Sequence, residues 1–288
     1  MKWLLYGSKG WIGGQLSELL HGQGEEVVVA VSRVDDTDAV RTELSNVKPD
    51  RVVCLVGRTH GPGFSTIDYL EQKGKVTENV RDNLFAPVSL ALLCQEAGIH
   101  YTYLGTGCCF HYDETHPLGG NGFTPADKPN FTGSAYSAVK GFTDLLLHQI
   151  PALTCRIRMP LTGTRNSRNF ITKITTYQKV VNIPNSMSVL HTLLPVMLDL
   201  AKKQHVGIVN LVNPGAISHN EVLDLYKEIV EPDFTYSNFT VEEQEKILLA
   251  GRSNCYLDTS FIEEHYPEVP NIHEATRQCM LKMKAGDQ

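Results

Sequence analysis

Trp3-Leu4-Leu5-Tyr6-Gly7-Ser8-Lys9-Gly10-Trp11-Ile12-Gly13-Gly14 opens the chain. Four apolar residues run directly into glycines spaced G-x-x-G-x-x-G, and Ile12, Leu16, Leu19 and Leu20 then recur on one helical face. A strand, a glycine turn and a helix in immediate succession form a dinucleotide cradle. The glycines allow a tight turn and close approach to a pyrophosphate, and the helix N-terminus offers free N–H groups to the phosphates. Gly7, Lys9, Gly10, Trp11, Ile12 and Gly13 are therefore the first cofactor-binding candidates. A glycine-rich turn without a ligand is the plain alternative.

Outward from this turn the pattern alternates. A strand is expected at 3–6 and a helix at 11–23. The apolar run 27–31 reads as a central parallel strand. A helix at 36–46 and a strand at 51–56 follow, then a long helix at 76–97 that Pro87 kinks and Gly98 ends. A strand at 101–104 leads into Gly105-Thr106-Gly107-Cys108. Residues 113–132 are rich in Gly, Pro and Asn and read as a loop. A helix at 133–149 and a strand at 154–159 complete the alternation. The fold class is α/β, a doubly wound parallel sheet, in which ligands bind beyond the carboxyl ends of the strands. After Pro160 the pattern is less regular, with helices expected at 171–177, 190–203, 219–229 and 241–249. Residues 1–160 are expected to bind the dinucleotide and 161–288 to form mainly a smaller substrate lobe, with some segments returning to the first domain.

Composition narrows the classes. The chain has 288 residues, with 42% hydrophobic and 20% charged, enough for a full core. A net charge of −6 argues against a nucleic-acid surface. The opening reaches glycine too soon for a signal peptide, and no apolar run approaches the roughly 20 residues of a membrane span. The seven cysteines (Cys54, Cys94, Cys108, Cys109, Cys155, Cys255 and Cys279) are odd in number and include no Cys-x-x-Cys pair. Neither a disulfide framework nor a metal site is indicated, and a cytoplasmic location is expected.

A second signal lies in Tyr136-Ser137-Ala138-Val139-Lys140. Tyr136 and Lys140 stand at i and i+4, on one helical face. An ammonium beside a phenol favours the phenolate and is expected to bring it toward a useful range. Lys140 can also bond the cofactor ribose. The hydroxyl of Thr106 would polarise the same substrate oxygen, and Cys108, two residues on, is a base where cations favour its thiolate. Cys109 reads as core. Arg33 and Lys9 could pair with a 2′-phosphate, whereas Asp35 and Asp36 would serve a free ribose. NADPH is the expected cofactor, with NADH the alternative. A solvated helix residue is the plain reading of Lys173. Arg252, before Ser253 and Asn254, could clamp a diphosphate with two parallel donors, and Asn185 is a second substrate candidate.

The G-x-x-G-x-x-G turn and the Tyr-x-x-x-Lys pair resemble extended short-chain dehydrogenase/reductases of Rossmann fold. The resemblance narrows with Gly10–Gly14, Thr106-Gly107-Cys108, residues 129–134, Arg168-Asn169-Phe170-Ile171-Thr172-Lys173-Ile174, residues 183–187, Asn213-Pro214-Gly215 and Ser218–Glu221. These blocks are similar to the nucleotide-rhamnose synthase/epimerase-reductase group and cover nearly the whole chain. The resemblance implies conversion of UDP-4-keto-6-deoxy-D-glucose to UDP-β-L-rhamnose by 3,5-epimerisation and NADPH-dependent 4-keto reduction. It implies Cys108 and Lys173 as epimerisation residues, Tyr136 and Lys140 as the reductase pair, Thr106 as the hydroxyl partner, and Asn169 on the substrate side. It also implies coupling to a separate 4,6-dehydratase and leaves a homodimer open. A dTDP-4-keto-rhamnose reductase, a GDP-fucose synthase and a non-catalytic dinucleotide-binding subunit are the rival readings. The residue after the thiol, the stretch 161–167 and the turn 57–61 depart from the group's pattern.

Overall fold

A computed structural model describes residues 1–286 and divides the chain into two compact units. The first contains Met1–Cys109, Lys128–Arg156 and Met197–Val209. Its elements begin with β1 (Lys2–Tyr6), α1 (Trp11–Gly22), β2 (Glu26–Val29), α2 (Thr37–Val47) and β3 (Arg51–Cys54). A 3-10 turn (Ile67–Glu71), α3 (Val76–Val80), a π-helical segment (Arg81–Phe85) and α4 (Ala86–Glu96) follow. β4 (His100–Thr106), α5 (Ala135–Leu147) and β5 (Leu153–Ile157) come next. The later α7 (Leu190–Lys202) and β7 (Gly207–Asn210) bring chain back to this unit.

Six strands pair in the order β2-β1-β3-β4-β5-β7, with β1 parallel to both β2 and β3, and β3 parallel to β4. The order reverses at β1, so the switch point lies between the carboxyl ends of β1 and β3, where Gly7 begins the glycine turn. β2 is an edge strand rather than the expected central one. Its apolar residues are only partly covered, because one flank has no strand beside it. The core beneath the sheet joins Leu4, Tyr6, Val40, Leu44, Val52, Leu90 and Tyr101.

The long helix expected at 76–97 is interrupted. Pro87 has no N–H to give the carbonyl of Asn83, and the chain passes through the π-helical segment just before it. The Asn83 carbonyl accepts instead from Thr143 Oγ1 of α5 at 2.6 Å. The Asn83 side chain is equally occupied: Oδ1 accepts from Arg58 N at 2.9 Å, and Nδ2 donates to Arg58 O and to Asn79 Oδ1, each at 2.9 Å.

The second unit contains Phe110–Asp127, Ile157–Val196 and Asn210–Gln288, described here to residue 286. It holds α6 (Phe170–Ile174), β6 (Lys179–Val180), α8 (His219–Ile229), β8 (Ser237–Asn238), α9 (Val241–Glu245), α10 (Ser260–His265) and α11 (Ile272–Gly286). Ser218 and Glu221 form a reciprocal capping box at the start of α8. Val222, Leu223, Tyr226 and Ile229 of α8 pack with Ile272, Cys279, Met280 and Met283 of α11. Three short helices depart from expectation. α6 stops at Ile174 rather than 177, and α9 at Glu245 rather than 249. α10 and the longer α11 answer to no expected element. Among the described residues no helix is long and apolar enough to cross a membrane.

Candidate active site

The glycine turn is shaped for close approach. Gly7 has φ of 85°, and a Cβ there would lie 2.9 Å from Leu55 C at the end of β3. A Cβ on Gly13 would fall 2.3 Å from Gly7 O and 2.6 Å from Ser8 Cα. These positions therefore need glycine for the turn and helix to pack at all. No side chain caps α1 at Gly10, so its first N–H groups point into the turn without a competing oxygen from their own cap residue. The cradle fits a dinucleotide pyrophosphate on these grounds. Lys9 is exposed beside it, and Trp11 and Ile12 are partly exposed in the first turn of α1.

Arg33 stands beyond the carboxyl end of β2 with its side chain 70% exposed. It grips Asp35 through two hydrogen bonds of 3.0 Å, and this pairing holds the Asp35 carboxyl below its usual range. Solvent screens so exposed a pair, so it is a small obstacle to any anion that recruits Arg33.

The end of β4 and the start of α5 are joined by short bonds. Ser134 caps α5, its Oγ accepting from Ser137 N at 3.0 Å, and Ser137 Oγ donates to Cys108 O at 2.7 Å. Glu71 Oε1 accepts from Ala135 N at 2.6 Å, so a carboxylate also meets the positive end of this helix. Thr106 Oγ1 accepts from Cys108 N at 3.1 Å, and its hydroxyl stands close enough to the Tyr136 phenol to favour the phenolate. Cys108 packs against Tyr69, Leu70 and Tyr136. Six of the seven cysteines are buried, and Cys108 alone is partly exposed. Cys109 is buried, its thiol donating to Thr106 O at 3.4 Å, as its core reading anticipated. Thr106, Cys108 and Tyr136 thus form one cluster.

The electrostatics of Tyr136 differ from expectation. Its phenol is raised, chiefly by burial and next by the neighbouring Cys108 sulfur, against the opposing bond from Thr106. Lys140 does not lower it, because its ammonium donates to the Tyr103 hydroxyl in β4 instead. Burial brings Lys140 itself down to about 8, against the upward pull of Cys54, Cys109 and Asp144. A neutral Tyr136 suits a proton donor, and a lysine near neutrality can change charge within the working range.

In the second unit, Asn169 caps α6. Its Oδ1 accepts from Ile171 N at 3.1 Å, and its Nδ2 donates to Thr162 O and Thr164 O at 2.8 and 2.7 Å. Asn185 Oδ1 accepts from Arg158 Nη2 and Cys255 N at 2.6 and 2.9 Å, while Nδ2 donates to Ile183 O and Asn254 Oδ1 at 3.1 and 2.9 Å. Both amides are buried and spent within the unit, which departs from the expectation that they meet substrate. Lys173, in the last turn of α6, is partly exposed, and burial with the nearby Arg168 lowers its ammonium below the usual lysine range. Arg252 is partly exposed, with Nη1 donating to Ala250 O at 2.8 Å.

Sequence reasoning missed Ser137, Glu71 and Tyr103. The Ser-x-x-Ser spacing at 134–137 was a legible cap signal. Glu71 and Tyr103 gave none, since each acts on a residue distant in sequence.

Comparison with known proteins places these features in context. Residues 3–159 match the NAD dependent epimerase/dehydratase family. The chain is similar to the UDP-rhamnose synthase of Acanthamoeba polyphaga mimivirus, whose crystal structure superposes with a TM-score of 0.95 at 52% identity, covering 98% of this chain and 99% of that one. It is 43% identical to the bifunctional dTDP-4-dehydrorhamnose 3,5-epimerase/dTDP-4-dehydrorhamnose reductase of Arabidopsis thaliana, over 94% of this chain and 90% of the relative. It is also 42% identical to a trifunctional UDP-glucose 4,6-dehydratase/UDP-4-keto-6-deoxy-D-glucose 3,5-epimerase/UDP-4-keto-L-rhamnose-reductase of the same plant, over 96% of this chain but only 41% of that protein.

Proposed function

The chain belongs to the NAD dependent epimerase/dehydratase family, and from that membership we propose that it converts UDP-4-keto-6-deoxy-D-glucose to UDP-β-L-rhamnose by 3,5-epimerisation followed by 4-keto reduction. The observation that carries this reading is the cluster of a hydroxyl, a partly exposed thiol and a neutral phenol at Thr106, Cys108 and Tyr136. A reductase alone needs the hydroxyl and the phenol. The thiol beside them is what an epimerase adds.

The chemistry follows from the ketone at carbon 4. Protons on carbons 3 and 5 are acidified because the electrons of a breaking C–H bond pass into an enolate. In our reading Cys108 Sγ takes that proton, and the charge collects on the oxygen at carbon 4, where Thr106 and Tyr136 hydrogen-bond it. We assign the proton returned to the ring carbon to Lys173, whose lowered range makes its ammonium a readier acid. A bound NADPH supplies the hydride that reduces carbon 4. Tyr136 gives its phenolic proton to the oxygen there, leaving a phenolate that Lys140 and solvent reprotonate. Arg252 is our assignment for the diphosphate; Asn169 and Asn185 are left out, since their amides are already spent.

Incubation with UDP-4-keto-6-deoxyglucose and NADPH, followed by sugar analysis, tests the proposal. UDP-rhamnose is the expected product; NADPH oxidation that yields only an un-epimerised 6-deoxy sugar would leave a simple reductase. The activity of the bifunctional plant relative favours one second reading, the corresponding dTDP sugar, and competition between the two nucleotides decides it.

NADPH rather than NADH is our reading of Arg33. Arg33→Ala is expected to lower kcat/KM for NADPH about tenfold or more, the worth of a charge-assisted bond, while barely changing NADH. Equal losses with both cofactors would remove Arg33 from the argument.

We further propose a homodimer. Phe142, Leu145 and Leu146 of α5 are exposed, as are Phe85 and Leu92 on the neighbouring segment and α4. A two-fold pairing would cover this apolar face with its own copy. Light scattering should find a dimer for the wild type and a monomer for Phe142→Glu; a wild-type monomer at micromolar concentration removes the proposal. The trifunctional relative supports a separate 4,6-dehydratase as the supplier of the keto sugar.

A further inference from the structure

Lys140 is almost fully enclosed, with 5% of its surface exposed. An amine so placed needs a polar partner. Asp144, one turn along α5, does not supply the direct bond. Its carboxylate is committed to Arg156, accepting from Nε at 2.9 Å and from Nη2 at 2.7 Å. The other groups that act on the ammonium are the thiols of Cys54 at the end of β3 and of Cys108 and Cys109 after β4. The direct partner is the hydroxyl of Tyr103 in β4, with Nζ standing 4.7 Å from the centre of that ring. Tyr103 is itself buried, and this is the hydrogen bond its hydroxyl makes among the described residues.

The kind of partner matters. A carboxylate or a carbonyl can only accept, so it holds an ammonium but loses its grip when the lysine becomes neutral. A hydroxyl both accepts and donates. We infer that Tyr103 is a positioning residue for Lys140, keeping its nitrogen in place both before and after it gives up a proton. Tyr103 lies three residues before Thr106 on the same strand. β4 therefore supplies both the hydroxyl that meets the ketone and the hydroxyl that fixes the lysine. The inference rests on the reading of Lys140 as part of the reductase.

Its consequence shows in titration. Burial brings the Lys140 ammonium down to about 8. Removing the hydroxyl takes away an acceptor of the ammonium, so the lysine should lose its proton at lower pH. The test compares wild type, Tyr103→Phe, Lys140→Met and the double variant. Tyr103→Phe keeps the ring that fills the core. NADPH oxidation with the keto sugar should fall about tenfold in kcat with little change in sugar KM, and its alkaline limb should move to lower pH. In the Lys140→Met background the same change should cost nothing further, because the residue it serves is gone.

NADPH affinity, followed by fluorescence between roughly pH 6 and 10 without sugar, gives a second arm. It should show the same downward displacement in Tyr103→Phe. If the wild type oxidises no NADPH with the sugar, the functional reading fails and this affinity arm still decides Tyr103. Unmoved affinity and rate profiles, or additive losses in the double variant, would overturn the assignment.

Discussion

Tyr136→Phe should all but stop NADPH oxidation while sugar protons continue to exchange with solvent deuterium. General acid catalysis contributes about 10²–10⁴-fold, and Phe cannot supply the proton that the oxygen at carbon 4 requires after hydride arrives. Burial raises the wild-type phenol above its usual range, so under the proposed function Tyr136 stays a donor throughout the working range. The alkaline limb of the wild-type profile should instead report Lys140. Activity is present while the ammonium is intact and falls as pH rises through about 8. Enolate formation survives in the variant because Thr106 remains, though the loss of one donor to the oxygen should slow exchange by about 10²–10³-fold. Full turnover by Tyr136→Phe would falsify the assignment of the proton donor.

Cys108→Ala should divide the activities the other way. Exchange at carbons 3 and 5, read by proton NMR in deuterated water, should drop by about 10²-fold or more, and UDP-rhamnose formation with it. NADPH binding should remain, since the glycine turn and α1 do not depend on this side chain. The substitution removes one sulfur from a position that is already partly exposed, so stability should change little. Exchange at the wild-type rate in this variant would take the base away from Cys108 and leave the thiol as packing against Tyr136.

Much of the first unit was legible from the chain because its signals are local. The glycine turn, the i and i+4 pair on α5 and the apolar strands each specify themselves within a few residues. β2 was misjudged for a physical reason: Val27, Val28 and Val29 read as central, but strand order is decided by pairings that a local run does not encode. Pro87 predicts a kinked helix, whereas the π-helical segment ahead of it absorbs the missing bond. In the site, residue types pointed to Thr106, Cys108 and Tyr136. Their spacing could not reveal that Lys140 would turn to Tyr103, or that burial would outweigh any cation at Tyr136. Asn169 and Asn185 illustrate the converse. An asparagine's amide looks alike in sequence whether it awaits a ligand or is already saturated by its own unit.

The π-helical segment has a mechanical consequence. Asn83 is joined by its carbonyl to Thr143, three residues past Lys140, and by its amide to both backbone groups of Arg58, just after the strand that flanks the glycine turn. One side chain and one freed carbonyl thus tie the rim of the glycine turn to α5, the helix that carries Tyr136 and Lys140. Under the proposed function, cofactor seating and the alignment of Tyr136 rest on this same set of bonds.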